Sequence, residues 1–95
     1  MQIEITSRHA EISDRVKEYL KEKVEKLSRY YPNIVNCQVV LDRQKEGEMV
    51  EVNLHISGKN FITKVTTDNL IKSIDTAIDK IEVQLKKFKE KRYEK

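Results

Sequence analysis

Among 95 residues there are one cysteine, one proline, two glycines and no tryptophan. A lone Cys37 cannot close an intramolecular disulfide, which fits a reducing cytoplasm. With glycine only at positions 47 and 58, nothing forms a flexible linker, a low-complexity tract or a phosphate-cradling loop. No run approaches the ~18 apolar residues of a membrane span, and Met1 leads directly into a strand pattern rather than a signal peptide. Enzyme motifs are missing too: there is no GxSxG, HExxH or CxxC. His9 and His55 have no Cys, Asp or Glu at metal-ligand spacing, and Cys37 alternates with core valines without a base to pair with. Asp75 and Asp79 lie four residues apart on a charged helix, where solvation explains them. These absences lead us to expect a cytoplasmic, non-enzymatic chain with no membrane association, no cofactor, no metal and no small-molecule substrate.

Length sets a second bound. Ninety-five residues make one domain, 1–95, with one core and no room for a large cleft.

What the chain has in quantity is charge, 37% of its residues, and the charge is unevenly placed. Residues 80–95 hold seven basic and three acidic side chains, a net +4, whereas the other 79 residues net −1. Five of the seven residues from 86 to 92 are basic. Charge concentrated at one end makes a local field, whose usual partner is polyphosphate.

Periodicity supplies the fold. Met1, Ile3 and Ile5 alternate with Gln2, Glu4 and Thr6, the period of a half-buried strand. Ser13 can cap a helix over about residues 14–30, in which Val16, Leu20, Val24, Leu27 and Tyr31 recur at helical steps and Pro32 stops the run. Val35, Cys37, Val39 and Leu41 alternate with Asn36, Gln38 and Asp42 as a second strand. A loop over residues 44–48 leads to a third, with Val50, Val52, Leu54 and Ile56 facing one way. Ser57-Gly58-Lys59-Asn60 is a turn, and Phe61, Thr63 and Val65 make a shorter fourth strand. Thr67 or Asp68 then caps a helix over residues 68–91 whose apolar seam is Ile71, Ile74, Ile78, Ile81, Leu85 and Phe88. The order β-α-β-β-β-α predicts an α+β two-layer sandwich, a four-stranded sheet with both helices on one face. Strands of six to eight residues span ~20–27 Å, whereas this helix spans ~36 Å. About two turns, carrying residues 86–92, are therefore expected to overhang the sheet.

The helices also carry the candidate binding residues. By helical arithmetic Lys80, Lys87 and Lys91 point away from the seam, and Arg15, Tyr19, Lys23, Lys26 and Tyr30 follow one flank of the first helix. Side by side, the two helices could join these stripes into one basic surface. The residues alone leave three readings open: nucleic-acid binding, a solvated helix end stabilised by the macrodipole, and an acidic protein partner. Tyr19 and Tyr30 could stack on bases or border the core. The outward strand positions lack the aromatics with which an RRM reads bases. Binding through helices suits the double-stranded RNA-binding domain, which has a related element order.

The chain closely resembles the ribosome hibernation-promoting factor family, also called the ribosome-associated inhibitor or sigma-54 modulation family. The likeness runs over nearly the whole chain. It is carried by Met1-Gln2-Ile3-Glu4-Ile5-Thr6, by Glu11-Ile12-Ser13, by Lys23-x-x-Lys26-Leu27 and by Leu54-His55-Ile56-x-Gly58. Most specific is the run from Asp68 through Ile74-Asp75-x-x-Ile78-Asp79-Lys80-Ile81-x-x-Gln84-Leu85 to Lys87, Lys89 and Lys91. The resemblance implies a domain that binds the 16S rRNA of the small ribosomal subunit in the channel between head and body. There it competes with mRNA and tRNA and inhibits translation in starvation or stress. Carried over by position, the rRNA-binding residues are Lys23 and Lys26 on the first helix and Lys80, Lys87, Lys89 and Lys91 on the second. Lys86 joins them as part of the same patch. Val83 stands where relatives often carry Arg, so one phosphate contact is expected to be lost there, with Lys86 or Lys87 compensating. Long members append a dimerisation domain and one short subtype ends in an acidic tail; residues 1–95 carry neither, so the resemblance implies either the short promoting form or the matching part of a long one. A protein–protein modulator, as the sigma-factor name suggests, and a generic double-stranded RNA binder are the alternatives.

Overall fold

In the computed structural model, which describes residues 1–93 and the side chains of residues 1–89, the chain runs β1 (Gln2–Arg8), α1 (Asp14–Tyr30), β2 (Ile34–Gln44), β3 (Gly47–Ile56), β4 (Lys59–Thr67) and α2 (Leu70–Tyr93). The strands lie in the order β1-β2-β3-β4. β1 is parallel to β2, and the remaining pairs are antiparallel. A parallel pair needs a crossover, which α1 supplies, and α2 returns over β3 and β4. The expected element order and two-layer architecture are those observed.

Register explains the faces. The rows Ile3-Cys37-Leu54-Phe61, Ile5-Val39-Val52-Thr63 and Ser7-Leu41-Val50-Val65 lie side by side under the helices. They meet Leu20, Val24 and Leu27 of α1 and Ile74, Ala77, Ile78, Ile81 and Leu85 of α2 in one cluster. Ile3, Ile5 and Val16, expected in that core, are half-buried at its margin. The opposite face carries rows such as Glu4-Gln38-Asn53-Ile62 and Thr6-Val40-Glu51-Lys64, with no Phe, Tyr or Trp and one imidazole, that of His55, whose Nδ1 lies 2.6 Å from Asn60 Oδ1.

Three local expectations differ. β2 begins at Ile34 with a bulge before Asn36, so Ile34 is buried and Val35 is 52% exposed. The extra residue reverses the alternation at that point. Ile71 is exposed at the edge of the α2 seam, while Ser73 and Ala77 are fully covered. The cap of α2 is Asn69, whose Oδ1 accepts from the Lys72 N–H at 3.0 Å. Thr67 is not available for that role, because its Oγ1 accepts from the Asn69 N–H at 3.2 Å and lies 2.6 Å from Ser73 Oγ. Ser13 caps α1 as expected, accepting from the Val16 N–H at 3.2 Å.

Both hairpins are tight. Gln44 pairs with Gly47 across Lys45-Glu46, and a Cβ at Gly47 would lie 2.4 Å from the Thr67 carbonyl oxygen, so the site requires glycine. Ser57 (φ 26°) and Gly58 (φ 80°) both take positive φ between the paired Ile56 and Lys59, as the primed hairpin turns demand. β2, β3 and β4, at 11, 10 and 9 residues, are longer than expected, and the sheet follows α2 as far as Phe88. The Phe88 ring packs edge-on against Phe61 of β4 at 5.5 Å. Residues 89–93, about one and a half turns of α2, extend past that contact rather than two.

Candidate nucleic-acid interface

Contacts between the helices advance together along both of them, Tyr19 with Asp75 and Tyr31 with Lys89, so α1 and α2 are parallel. Their capped N-termini share one end of the layer and their C-termini the other. Two C-termini side by side sum their negative dipole ends, which lysines complement. Between the helices runs an open groove of about 820 Å³. Lys23, Lys26, Tyr30 and Tyr31 line one bank, and Asp79, Glu82, Lys86 and Lys89 the other, over a floor that includes Leu27 and Ile78.

The groove lysines are not equivalent. Lys23 Nζ lies 3.5 Å from Asp75 Oδ1 and 5.4 Å from the Tyr19 ring centroid, and the Tyr19 hydroxyl donates to the same carboxylate at 2.5 Å. Partial desolvation opposes the charge on Lys23, but Asp75 and Tyr19 more than offset it, and its pKa is raised. The Tyr19 phenol is raised as well, first by its bond to Asp75. Lys23 is therefore a held cation that bridges the helices. Lys89 Nζ sits 5.7 Å from the Tyr31 ring centroid. Lys26 and Lys86 are exposed and, among the described residues, carry no ion pair. Four lysines against two carboxylates leave the groove cationic.

The other candidates lie elsewhere. Lys80 and Lys87 are exposed but do not line the groove. Steps of ~100° per residue place them on the opposite flank of α2, above β4. Val83, 51% exposed, occupies the crest between the two flanks. The single stripe expected across both helices is thus split by the crest of α2 into a groove side and a far side. Lys91 lies outside the residues whose side chains are described.

The shared C-terminal end adds groups that sequence reasoning missed. Lys59, at the start of β4, places its Nζ 5.4 Å from the Phe61 centroid and 5.1 Å from that of Phe88. Beside them a slot of about 190 Å³ is lined by Tyr30, Tyr31, Pro32, Asn33, Ile56, Phe88 and Lys89. Pro32 marks the end of α1 in the sequence, but only the fold sets Pro32 and Asn33 beside Phe88.

Elsewhere the chemistry is quiet. Cys37 is buried, and burial pushes its thiol up to about 12, far from nucleophilic. His9, at a positive φ of 62°, sets Nδ1 2.7 Å from Asp42 Oδ1. That contact explains why Asp42, outward by alternation, is 9% exposed. Among the described residues no cluster of three or more His, Cys, Asp or Glu could hold a metal ion, and no helix is long and apolar enough to cross a membrane.

Comparison with known proteins gives this geometry its family. A ribosome hibernation promoting factor of Azotobacter vinelandii is 30% identical over 95 residues, covering 100% of this chain and 89% of the relative. A solved ribosomal subunit interface protein from Coxiella burnetii superposes with a TM-score of 0.87 at 25% identity, covering 94% of this chain and 98% of that one. The N-terminal domain of Thermus thermophilus Protein Y gives 0.83 at 28% identity, covering 93% and 99%. Residues 3–93 match the model of the Sigma 54 modulation protein / S30EA ribosomal protein family, and the chain belongs to that family.

Proposed function

We propose that this chain is a ribosome hibernation factor that lays its helical layer on the 16S rRNA of the small subunit, in the channel used by mRNA and tRNA. Hibernation is the role named for its full-length relatives, and the family is one of ribosome-associated factors rather than enzymes. The observation that carries the finer reading is the groove, where Lys23, Lys26, Lys86 and Lys89 from two helices stand around one open trough. Lysines spaced along parallel helices suit a phosphate backbone, which supplies most of the affinity in shape-directed RNA binding. Lys80 and Lys87 extend the contact to the far flank of α2, where Lys87 offsets the uncharged Val83. The sheet face has no Phe, Tyr or Trp, and its one imidazole, His55, is engaged with Asn60, so that face takes no part in reading bases. A rigid two-layer body seated in that channel inhibits translation by occlusion, in the cytoplasm, when starvation or stress empties ribosomes.

Competition tests this. Occlusion must be reciprocal: the protein lowers the affinity of mRNA and tRNA by the factor by which they lower its own. Vacant small subunits should cosediment with the protein, and preformed initiation complexes should bind it poorly. A ternary complex with mRNA and tRNA at undiminished affinities would sink the mechanism.

A further inference from the structure

Tyr30 is the most exposed large hydrophobic side chain described, at 60%, and it stands at the last position of α1. Tyr19, the other flank tyrosine, is committed to Asp75. Tyr30 instead walls the slot of about 190 Å³ together with Tyr31, Pro32, Ile56 and Phe88. Three rings, a proline and an isoleucine define a site for a flat apolar body, and Asn33 adds an amide donor and acceptor of the kind that reads a base edge. At ~30 Å³ per water the slot has room for about six waters. That suits one planar heterocycle and excludes a helix or a folded peptide. Lys89 lines both this slot and the lysine groove, and Tyr30 and Tyr31 are likewise shared. A ligand that enters the slot therefore has cations beside it where a backbone phosphate would lie.

We infer that the slot takes one unpaired nucleobase of the RNA, stacked on Tyr30, while its flanking phosphates rest on Lys89 and on the groove lysines Lys26 and Lys86. This rests on the rRNA-binding reading above and adds to it a point of recognition other than charge. A continuous duplex laid across the groove leaves the slot empty, whereas a bulged or splayed nucleotide fills it. Stacking on aromatic rings tolerates any base, so the slot selects an unpaired position rather than a sequence.

Affinity for vacant small subunits, measured across a range of salt concentrations, separates the two contributions. Tyr30→Ala should lose about tenfold in affinity by the same factor at every salt, and Tyr30→Phe should retain nearly all of it. Lys26→Gln should instead flatten the salt dependence. Because Tyr30 is exposed, both tyrosine variants should melt like the wild type. A benzophenone side chain at position 30 should crosslink to rRNA. Tyr30→Ala within twofold of wild type at all salts, or a crosslink to a ribosomal protein, overturns the slot while leaving the groove reading intact. If wild-type protein fails to bind small subunits, the rRNA reading falls, and a short single-stranded RNA becomes the probe. Equal affinity of wild type and Tyr30→Ala for that RNA then overturns the slot as well.

Discussion

Where α1 and α2 begin, side chains bond to backbone; where they finish, rings and ammonium groups face each other. At the first end Ser13 and Asn69 cap the helices, and the Ser73 hydroxyl donates to the Glu48 carbonyl at 2.7 Å. His9 closes over Asp42 nearby. At the second end Phe61, Phe88, Tyr31, Lys59 and Lys89 make looser contacts of 5.1 to 5.7 Å between centroids and cations. Directional bonds fix a geometry and consume their donors. Cation–ring contacts leave ammonium hydrogens free for phosphate. The same layer is locked at one end and available at the other.

The largest effects should come from the core that both ends share. Leu20 is fully buried and Ile78 is 4% exposed, so Leu20→Ala or Ile78→Ala should destabilise by ~2–5 kcal/mol in denaturant melts. Losses below about half a kcal/mol at both sites would mean that the helices do not pack on the sheet as described.

A smaller effect separates the ends. Ser73→Ala removes the donor to Glu48 at a site with no solvent access, and should cost ~1–3 kcal/mol. Its affinity for small subunits at a temperature where it is folded should be unchanged. If Ser73→Ala weakens binding without loss of stability, the locked end is part of the interface and the contrast fails.

Replacing lysines should do the reverse. Lys86→Gln with Lys89→Gln should lower small-subunit affinity and reduce the slope of log affinity against log salt by about one to two, as two phosphate contacts require. Stability should stay within about half a kcal/mol, as at exposed sites generally. The same measurement on Lys80→Gln with Lys87→Gln reads the far flank of α2. A larger slope change there than in the groove would move the main RNA contact off the groove.

How much of this was legible in the sequence depends on range. Element order follows from local periodicity: two-residue alternation in the strands and three- and four-residue steps in the helices need no partner to be seen. The bulge at Ile34 and Val35 is local as well, but it hides inside an alternation that looks intact from Val35 onward. The Asn69 cap was obscured by better-placed neighbours, since only the fold shows Thr67 engaged with Ser73. The lysines were recognisable as a set, yet their division was not. Angles around α2 assign Lys86 and Lys89 to one flank and Lys80 and Lys87 to the other, but the flank that meets α1 depends on which strands each helix covers. The pairing of His9 with Asp42, 33 residues apart, and the slot at Tyr30 arise only when distant segments meet.

The smallest effect belongs to the locked end and concerns pH. The contact with His9, more than that with Gln44, holds the Asp42 carboxyl below its ordinary value, against a partial opposing desolvation, with Arg8 contributing less. A folded-state pKa below the unfolded one, about 3.9 for aspartate, means that the unfolded chain binds the proton more readily. Stability from Asp42 is therefore fully present above about pH 5 and is lost as pH falls through the folded value. Asp42→Asn keeps the shape and removes the titration. The variant should be slightly less stable than wild type near neutrality, and the gap should close in acid, where wild-type Asp42 is itself neutral. Melts of both proteins from about pH 7 down to pH 3 check this. A gap that is constant across that range would show that Asp42 acts through packing rather than charge. A simultaneous change in small-subunit affinity at neutral pH would extend the binding surface to the end where the helices begin.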